Sequence, residues 1–276
     1  VVLSGFIYPI QASWVWGGGW LAQMGFSDFA GSTLVHSTGG WAALTGAIIL
    51  GARKGKYGPS GQVMAHPCAN IPLATLGTFI LWFGWFGFNG GSQLALGSAL
   101  DAAAISIVYV NTNLAAASGV VVAIIMAQLI YKKIDVSLAL NGAIGGLVAI
   151  TAGPDVQNHF IALIVGGVGG ALVLIAVPLI DKMKIDDVVG AISAHLVAGI
   201  WGTLAVGIFG SGSIVTQAIG VLAIGAFVSI VSAVVWLVLK ATIGIRVDEE
   251  DEAIGLDRAE CGMEAYPEFG SGSQRL

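Results

Sequence analysis

The chain has 276 residues, of which 56% are hydrophobic and only 10% are charged, and its formal net charge is −5. A surface in contact with water needs a larger share of charged residues, so this composition excludes an ordinary soluble domain. The acidic excess lies mainly in the C-terminal tail, where residues 248–252 are all acidic, and it does not indicate nucleic-acid binding. Cys68 and Cys261 lack the spacing of metal ligands, and we expect both to be free thiols.

Eight apolar segments follow one another, each near the length of about 20 residues with which an α-helix crosses a bilayer core. Their approximate bounds are 1–22, 30–51, 70–97, 101–131, 135–153, 157–180, 186–209 and 214–243. The sequence therefore predicts an all-α, polytopic membrane protein, with a transmembrane domain over 1–243 and a polar tail over 244–276. The first residue is Val and already lies in an apolar run, so we expect the chain to begin partway through a longer protein.

Aromatic residues gather at the end of the first segment, where three tryptophans flank the glycine run 17–19. They are Trp14, Trp16 and Trp20. Tryptophans in this position are typical of an interfacial aromatic belt. Ring faces at the mouth of a pore can instead bind a cation, which is worth roughly 2 kcal/mol when the contact is desolvated. The sequence alone leaves both interpretations open.

Basic residues mark every second connection between the segments. They are Arg53, Lys54, Lys56, Lys132, Lys133, Lys182, Lys184, Lys240 and Arg246. Because loops rich in Lys and Arg stay in the cytoplasm, the second segment is predicted to run inward and the seventh outward. The same rule places the C-terminal tail in the cytoplasm.

The second and seventh segments carry the same pattern at five positions. The patterns are Asp28-x2-Gly31-x4-His36-x3-Gly40 ending at Gly51, and Asp187-x2-Gly190-x4-His195-x3-Gly199 ending at Gly210. Because the two copies run in opposite directions, they indicate an inverted repeat, whose substrate path lies near the membrane midplane. Each histidine lies about eight residues, or about 12 Å, into its helix. We therefore expect the two imidazoles to meet.

A single intramembrane histidine can be a packing residue, but a symmetry-related pair favours a function. Asp28 and Asp187 stand just before their apolar runs, where a carboxylate caps the start of a helix. An ionised Asp28 at the outer mouth would also favour a cation there. In the third segment an aromatic run broken by glycines, residues 82–92, is either an interfacial belt or part of a cation site.

These motifs together resemble the ammonium transporter (Amt/Rh) family. The resemblance is carried by Trp16-Gly-Gly-Gly, by Asp28-Phe-Ala-Gly with His36 eight residues on, by Gly84-Trp-Phe-Gly-Phe-Asn-Gly-Gly-Ser92, and by the helix from Gly190 to His195. The tail from Gly255 to Tyr266 is similar to the cytoplasmic regulatory tail of bacterial members.

The resemblance implies the ammonium transporter fold, with eleven membrane helices in each subunit of a homotrimer, of which this chain holds about eight, helices four to eleven. It implies ammonium recruitment by Trp16 and Ser92, with support from Asp28. Phe88 would form the gate beneath that site. His36 and His195 would line the pore as twin histidines and relay protons. The implied protein is a transporter rather than an enzyme, without a catalytic residue, metal or cofactor.

The resemblance also implies a mechanism. Ammonium would be recruited at the outer aromatic site and deprotonated, and ammonia would pass the histidines. The protein would lie in the inner (plasma) membrane, and a PII-type signalling protein would bind at its cytoplasmic face. Two alternatives remain open, an ammonium sensor with little transport and a non-selective cation channel.

Overall fold

The computed structural model describes residues 1–64, 66, 68–210 and 212–267, and this part of the chain is almost entirely helical. Its helices are α1 (Tyr8–Ser13, which continues a π-helical turn over Leu3–Ile7), α2 (Trp20–Gln23), α3 (Ser32–Leu50), α4 (Ile71–Gly91), α5 (Ala99–Tyr131), α6 (Val136–Ile150), α7 (His159–Lys182), α8 (Ile192–Phe209), α9 (Ile214–Thr242), α10 (Glu249–Ile254) and α11 (Leu256–Ala259). Helices α3 and α8 each begin with a π-helical turn, over Ser32–Ser37 and Ile192–Val197.

Six of the eight predicted segments form helices that are long and apolar enough to cross a membrane, namely α3, α4, α5, α7, α8 and α9. The all-α, multi-pass prediction is therefore confirmed. The first segment is interrupted after Ser13, because the chain turns through Gly18 at φ 70°, in the left-handed region that suits glycine. The fifth segment gives the 15-residue helix α6, which ends just before residues 151–154.

Small residues bring α5, α6 and α7 into direct backbone contact. A Cβ atom on Gly146 would strike the carbonyl of Ala115 in α5, and one on Gly170 would strike that of Gly119. Membrane helices pack through such small residues because burial of apolar side chains gives little driving force in lipid. The three helices form a close-packed block, and α8, one of the two histidine-bearing helices, packs against α6 and α7.

Ion pairs join the basic connections at one end of the molecule. Arg53 donates to both carboxylate oxygens of Asp186, at 2.7 and 2.8 Å, and Lys56 lies 2.9 Å from Asp181. Burial alone would raise the pKa of Asp186, but the hydrogen bonds and charge of Arg53 outweigh it and hold the pKa below its usual range. The connections after the second and sixth predicted segments therefore share one side, as their basic residues predict.

The opposite end is closed by hydrogen bonds without ion pairs between the described residues. The amide of Ala30 donates to the carbonyl of Thr151 at 3.0 Å. The buried carboxamide of Gln217, in α9, accepts from the amide of Ser27 and donates to the carbonyls of Ser27 and Thr203. These bonds tie the segment just before α3 to the end of α6 and to α9, and they join α9 to α8.

Candidate functional site

The first turn of α3 is organised by the carboxylate of Asp28. One oxygen accepts from the amides of Gly31 and Ser32 at 3.0 and 2.8 Å, and the other accepts from those of Thr33 and Leu34 at 2.8 and 2.9 Å. The side chain is buried, so these four amides take the place of water around the charge. The capping role predicted for Asp28 is confirmed, and its carboxylate lies under the helix rather than on the outer surface.

The second copy of the repeat repeats this cap with fewer bonds. Asp187 accepts from the amide of Ile192 at 3.0 Å, and from the amide and hydroxyl of Ser193, both at 2.9 Å. Gly31 and Gly190 have φ of 111° and 74°, which explains why both copies have glycine at this position. The sequence repeat is therefore also a repeat of local structure.

The two repeat helices cross at the turns that carry the histidines. A Cβ atom on Gly40 of α3 would meet Leu196 of α8, next to His195. A Cβ atom on Gly199 of α8 would meet Ser32 and Ser37 of the α3 turn. The last shared glycines before the helix ends thus permit the close approach of the two helices, and each helix contacts the other beside its histidine.

The two imidazoles lie in contact at this crossing, as the repeat predicts. Nδ1 of His36 is 3.2 Å from Nδ1 of His195, and the rings are nearly parallel, with centroids 5.3 Å apart. Only one Nδ1 can carry the proton of this hydrogen bond, so the neutral rings adopt opposite tautomers. One ring then presents a bare Nε2 acceptor and the other an Nε2–H donor.

Aromatic rings from α4 cover one face of His36. Trp85 stacks on the imidazole, with centroids 4.9 Å apart and planes 17° from parallel, and Phe88 lies 5.3 Å away. The indole of Trp85 is fixed by its Nε1–H, which donates to the hydroxyl of Thr151 at 2.9 Å. The resemblance names Phe88 but not Trp85. The spacing of three residues, which places both side chains on one helix face, is the signal that identifies it.

A cavity of about 300 Å³ opens beside the histidines. It is lined by Val35, His36, Gly39, Gly40, Ala43, Ala191 and His195. Apart from the imidazoles its lining is small and apolar, and Nε2 of His36 is buried without a hydrogen-bond partner among the described residues. The arrangement can hold a small neutral molecule that both donates and accepts hydrogen bonds.

Trp16 and Ser92, the two residues predicted to recruit ammonium, stand on separate elements. The indole of Trp16 is 47% exposed, and its Nε1–H donates to the backbone carbonyl of Asp28 at 3.0 Å. The hydroxyl of Ser92 donates to the carbonyl of Phe88 at 2.8 Å. Within the described residues no hydrogen bond or ring contact joins Trp16 to Ser92, so the structure brings together the histidines, Trp85 and Phe88 but not this pair.

Known proteins resemble this chain over nearly its whole length. It is 42% identical over 299 residues to the ammonium transporter Amt2 of Archaeoglobus fulgidus, covering 97% of this chain and 63% of that protein. It is 37% identical over 284 residues to the ammonium transporter of Bacillus subtilis, covering 96% of this chain and 67% of that protein. The chain therefore spans less than two thirds of the length of Amt2.

Solved structures give the same result. A structure described as a Sensor Amt Protein superposes with a TM-score of 0.87 at 42% identity, covering 92% of this chain and 67% of that one. Mep2 of Candida albicans superposes with a TM-score of 0.80 at 30% identity, covering 89% of this chain and 58% of that one. The model of the Ammonium Transporter Family matches residues 1–266. By sequence and by fold, the chain belongs to the ammonium transporter family.

Proposed function

We propose that this chain conducts ammonium across a membrane along a path that passes His36 and His195. The observation that carries the proposal is the contact between the two imidazoles, 3.2 Å apart at Nδ1, beside a small apolar cavity. Histidines in apolar helices are costly unless they are paired, and such pairs mark substrate or proton pathways. The cavity suits ammonia, which is small and neutral and can both donate and accept a hydrogen bond.

The outer site is proposed to recruit the cation through Trp16 and Ser92. The indole of Trp16 is partly exposed, and since its only polar atom is held by the carbonyl of Asp28, its contact with a cation would be made by the ring face. The Ser92 hydroxyl uses its proton on Phe88, which leaves lone pairs to accept from ammonium, a cation that only donates. The buried carboxylate of Asp28 adds negative charge below this site.

Selectivity is proposed to come from loss of a proton beneath the recruitment site. Ammonium and potassium carry the same charge, and moving either intact cation into an apolar passage costs many kcal/mol. Ammonium can lose a proton and continue as ammonia, whereas potassium has no such route. Phe88 would act as the gate that keeps bulk water from the passage, and it contacts His36 directly below.

The histidine pair is proposed to relay the proton while ammonia passes. The pair presents one Nε2 acceptor and one Nε2–H donor, as its shared Nδ1 proton requires. When the ring with the bare Nε2 takes up a proton there, it can pass the shared proton to the other Nδ1, and the second ring then releases its Nε2 proton, so that the two roles are exchanged and both rings are again neutral. A proton taken up at one ring can therefore leave from the other without either ring moving.

The setting of this path is also part of the proposal. The basic connections, which ion pairs hold together at one end of the molecule, favour that end and the C-terminus in the cytoplasm, and we expect a multi-pass protein of the inner (plasma) membrane. We expect a transmembrane domain over 1–243 in a homotrimer, and a regulatory tail over 244–276 that binds a PII-type signalling protein. Residues 268–276 of that tail lie outside the described residues.

Replacement of both histidines by leucine tests the proposal. In proteoliposomes, His36→Leu with His195→Leu is expected to abolish the ammonium-driven current or to let potassium compete with it. His66→Leu, which changes an exposed histidine outside the site, is the matched control and should leave the current unchanged. A double variant with the current and the ammonium-to-potassium ratio of the unmodified chain would refute the proposal.

A second candidate function is ammonium sensing with little transport. The observation in its favour is the structural match to the protein described as a Sensor Amt Protein, at 42% identity. Saturable ammonium binding without a current would support sensing. A non-selective cation channel would instead show potassium currents comparable to those of ammonium.

A further inference from the structure

The π-helical turn that carries His36 is held by a buried glutamine from another helix. Gln11, at the end of α1, is fully buried, and its Nε2–H donates to the backbone carbonyl of Leu34 at 2.7 Å. Leu34 lies two residues before His36, inside the turn Ser32–Ser37. The amide of the same residue is held by Asp28, so Leu34 is fixed at both its donor and its acceptor.

The contact occurs where the helix departs from α geometry. In an α-helix the amide of Thr38 would donate to the carbonyl of Leu34, four residues earlier. Here the amide of Thr38 bonds to the carbonyls of Thr33 and Val35 instead. The carbonyl of Leu34 therefore lacks the bond from Thr38 that it would have in an α-helix, and Gln11 donates to it instead.

This exchange of donors favours the π-helical turn over a regular one. Without Gln11, an α-helical register would give the carbonyl of Leu34 its usual donor, so the register change would satisfy the vacant acceptor. Removing the extra residue of a π-helical turn rotates the chain on one side of it by about 100° relative to the other, because an α-helix has 3.6 residues per turn. Since α3 is fixed at its start by Asp28 and across the crossing by Gly40, the imidazole of His36 would turn away from His195.

Gln11 also carries a cost that an apolar residue would not. Its Oε1 is buried without a hydrogen-bond partner among the described residues. Ile7 and Val15, four residues before and after it, belong with its partner Leu34 to one buried hydrophobic cluster. A leucine or methionine would suit such a cluster better. The bond to Leu34 is the feature of this side chain that an apolar residue could not reproduce.

We propose that Gln11 is a positioning residue, which holds the π-helical turn of α3 so that His36 meets His195. The second copy of the repeat has no such brace within the described residues, since the backbone of the turn Ile192–Val197 forms side-chain hydrogen bonds with Asp187 alone. The inference rests on the proposed function only in taking the histidine pair as part of the path.

The test is an NMR measurement of the imidazole contact in membranes. The chain has only four histidines, so labelling them with ¹⁵N allows a direct correlation between the Nδ1 nuclei of His36 and His195 across their hydrogen bond. Gln11→Met keeps the size of the side chain but removes the donor. It is expected to abolish this cross-peak while the chain stays helical. Gln11→Asn, whose amide falls about 1.5 Å short of the carbonyl, should do the same.

Asn111→Leu is the matched control. Asn111 is a fully buried carboxamide that donates to the carbonyls of Pro154 and Val156, and its Oδ1 lies 2.7 Å from Nδ1 of His159, so its contacts involve neither His36 nor His195. Its loss should leave the cross-peak intact. The proposal is overturned if Gln11→Met keeps the cross-peak, if Asn111→Leu loses it equally, or if both Gln11 variants fail to fold while Asn111→Leu folds. The cross-peak does not depend on transport, so absence of an ammonium current would refute the proposed function without deciding this inference.

Discussion

The two capping aspartates of the repeat are expected to differ in their contribution to stability. Asp28→Asn replaces one carboxylate oxygen by an NH₂ group, which cannot accept a hydrogen bond. Whichever way the amide turns, it keeps two of the four backbone donors and leaves two buried N–H groups without a partner. Each such group costs about 1–3 kcal/mol, so the substitution should lower the free energy of unfolding by about 2–6 kcal/mol.

Asp187→Asn is the matched variant at the second cap. Its remaining oxygen can still accept from the amide of Ile192, and its NH₂ group can donate to the hydroxyl of Ser193, which reverses its role. Only the amide of Ser193 then loses its acceptor, at a partly buried site, and the expected cost is about 1–2 kcal/mol. Both variants lose one negative charge at the start of a helix, so this shared loss does not explain a difference between them.

Thermal unfolding of the purified chain in detergent checks this ordering. Because membrane proteins often unfold irreversibly, the half-life at a fixed temperature should be measured beside the apparent midpoint. Asp28→Asn should shorten the half-life and lower the midpoint clearly more than Asp187→Asn. Equal effects, or a larger effect at Asp187, would show that the count of buried amides does not determine the stability of these turns.

Three further predictions follow from single contacts. Trp85→Phe and Thr151→Val should each lower stability, and a double-mutant cycle should give a coupling of about 1 kcal/mol, because both remove the bond between indole and hydroxyl. Arg53 lowers the pKa of Asp186 in the folded chain, so the contribution of this carboxylate to stability is complete above the ordinary carboxyl pKa and is lost as the pH falls through the lowered pKa. Asp186→Asn should therefore lose less stability on acidification than the unmodified chain, as measured by unfolding midpoints at a series of pH values. Gly199→Ala should push α8 away from the first turn of α3 and weaken the ¹⁵N cross-peak between the two imidazoles. An unchanged cross-peak would contradict the close packing of Gly199 against Ser32 and Ser37.

The sequence predicts most of the helices because each is a long apolar run between polar or glycine-rich connections. Predicted bounds were wrong where apolar residues continue past a helix end. The third predicted segment extends to residue 97, but α4 ends at Gly91, and Leu94 has φ 61° in the non-helical connection that follows. Hydropathy alone does not distinguish an apolar loop from a helix, because it reports on side chains and not on how the backbone hydrogen bonds are satisfied.

Within the site, the repeat predicts the meeting of the histidines because their spacing and direction fix their depth. The position of Trp85 beside His36 can be predicted once Phe88 is assigned, because residues three apart in a helix share a face. The π-helical turns are not, because the choice between a bond to the fourth or the fifth preceding residue leaves no periodic pattern in so short a run. Gln11 gives a weak signal as an isolated amide in an apolar segment, but its partner is a backbone carbonyl, which every residue has.

The difference between the two copies bears on how a symmetric repeat can serve a directional path. The five shared positions bring equivalent imidazoles together, but only His36 stacks on Trp85 and contacts Phe88. His195 lines the cavity, and among the described rings it contacts only that of His36. The two imidazoles are therefore not equivalent, since one lies next to the aromatic cluster and the other beyond it.

If ammonium arrives from the aromatic side, the first ring it meets is the one whose turn is fixed by Asp28 and Gln11, and the second is carried by the turn with fewer restraints. In the proposed mechanism, the more restrained first ring would set the geometry of proton loss, and the less restrained second ring would adjust to the molecule that leaves.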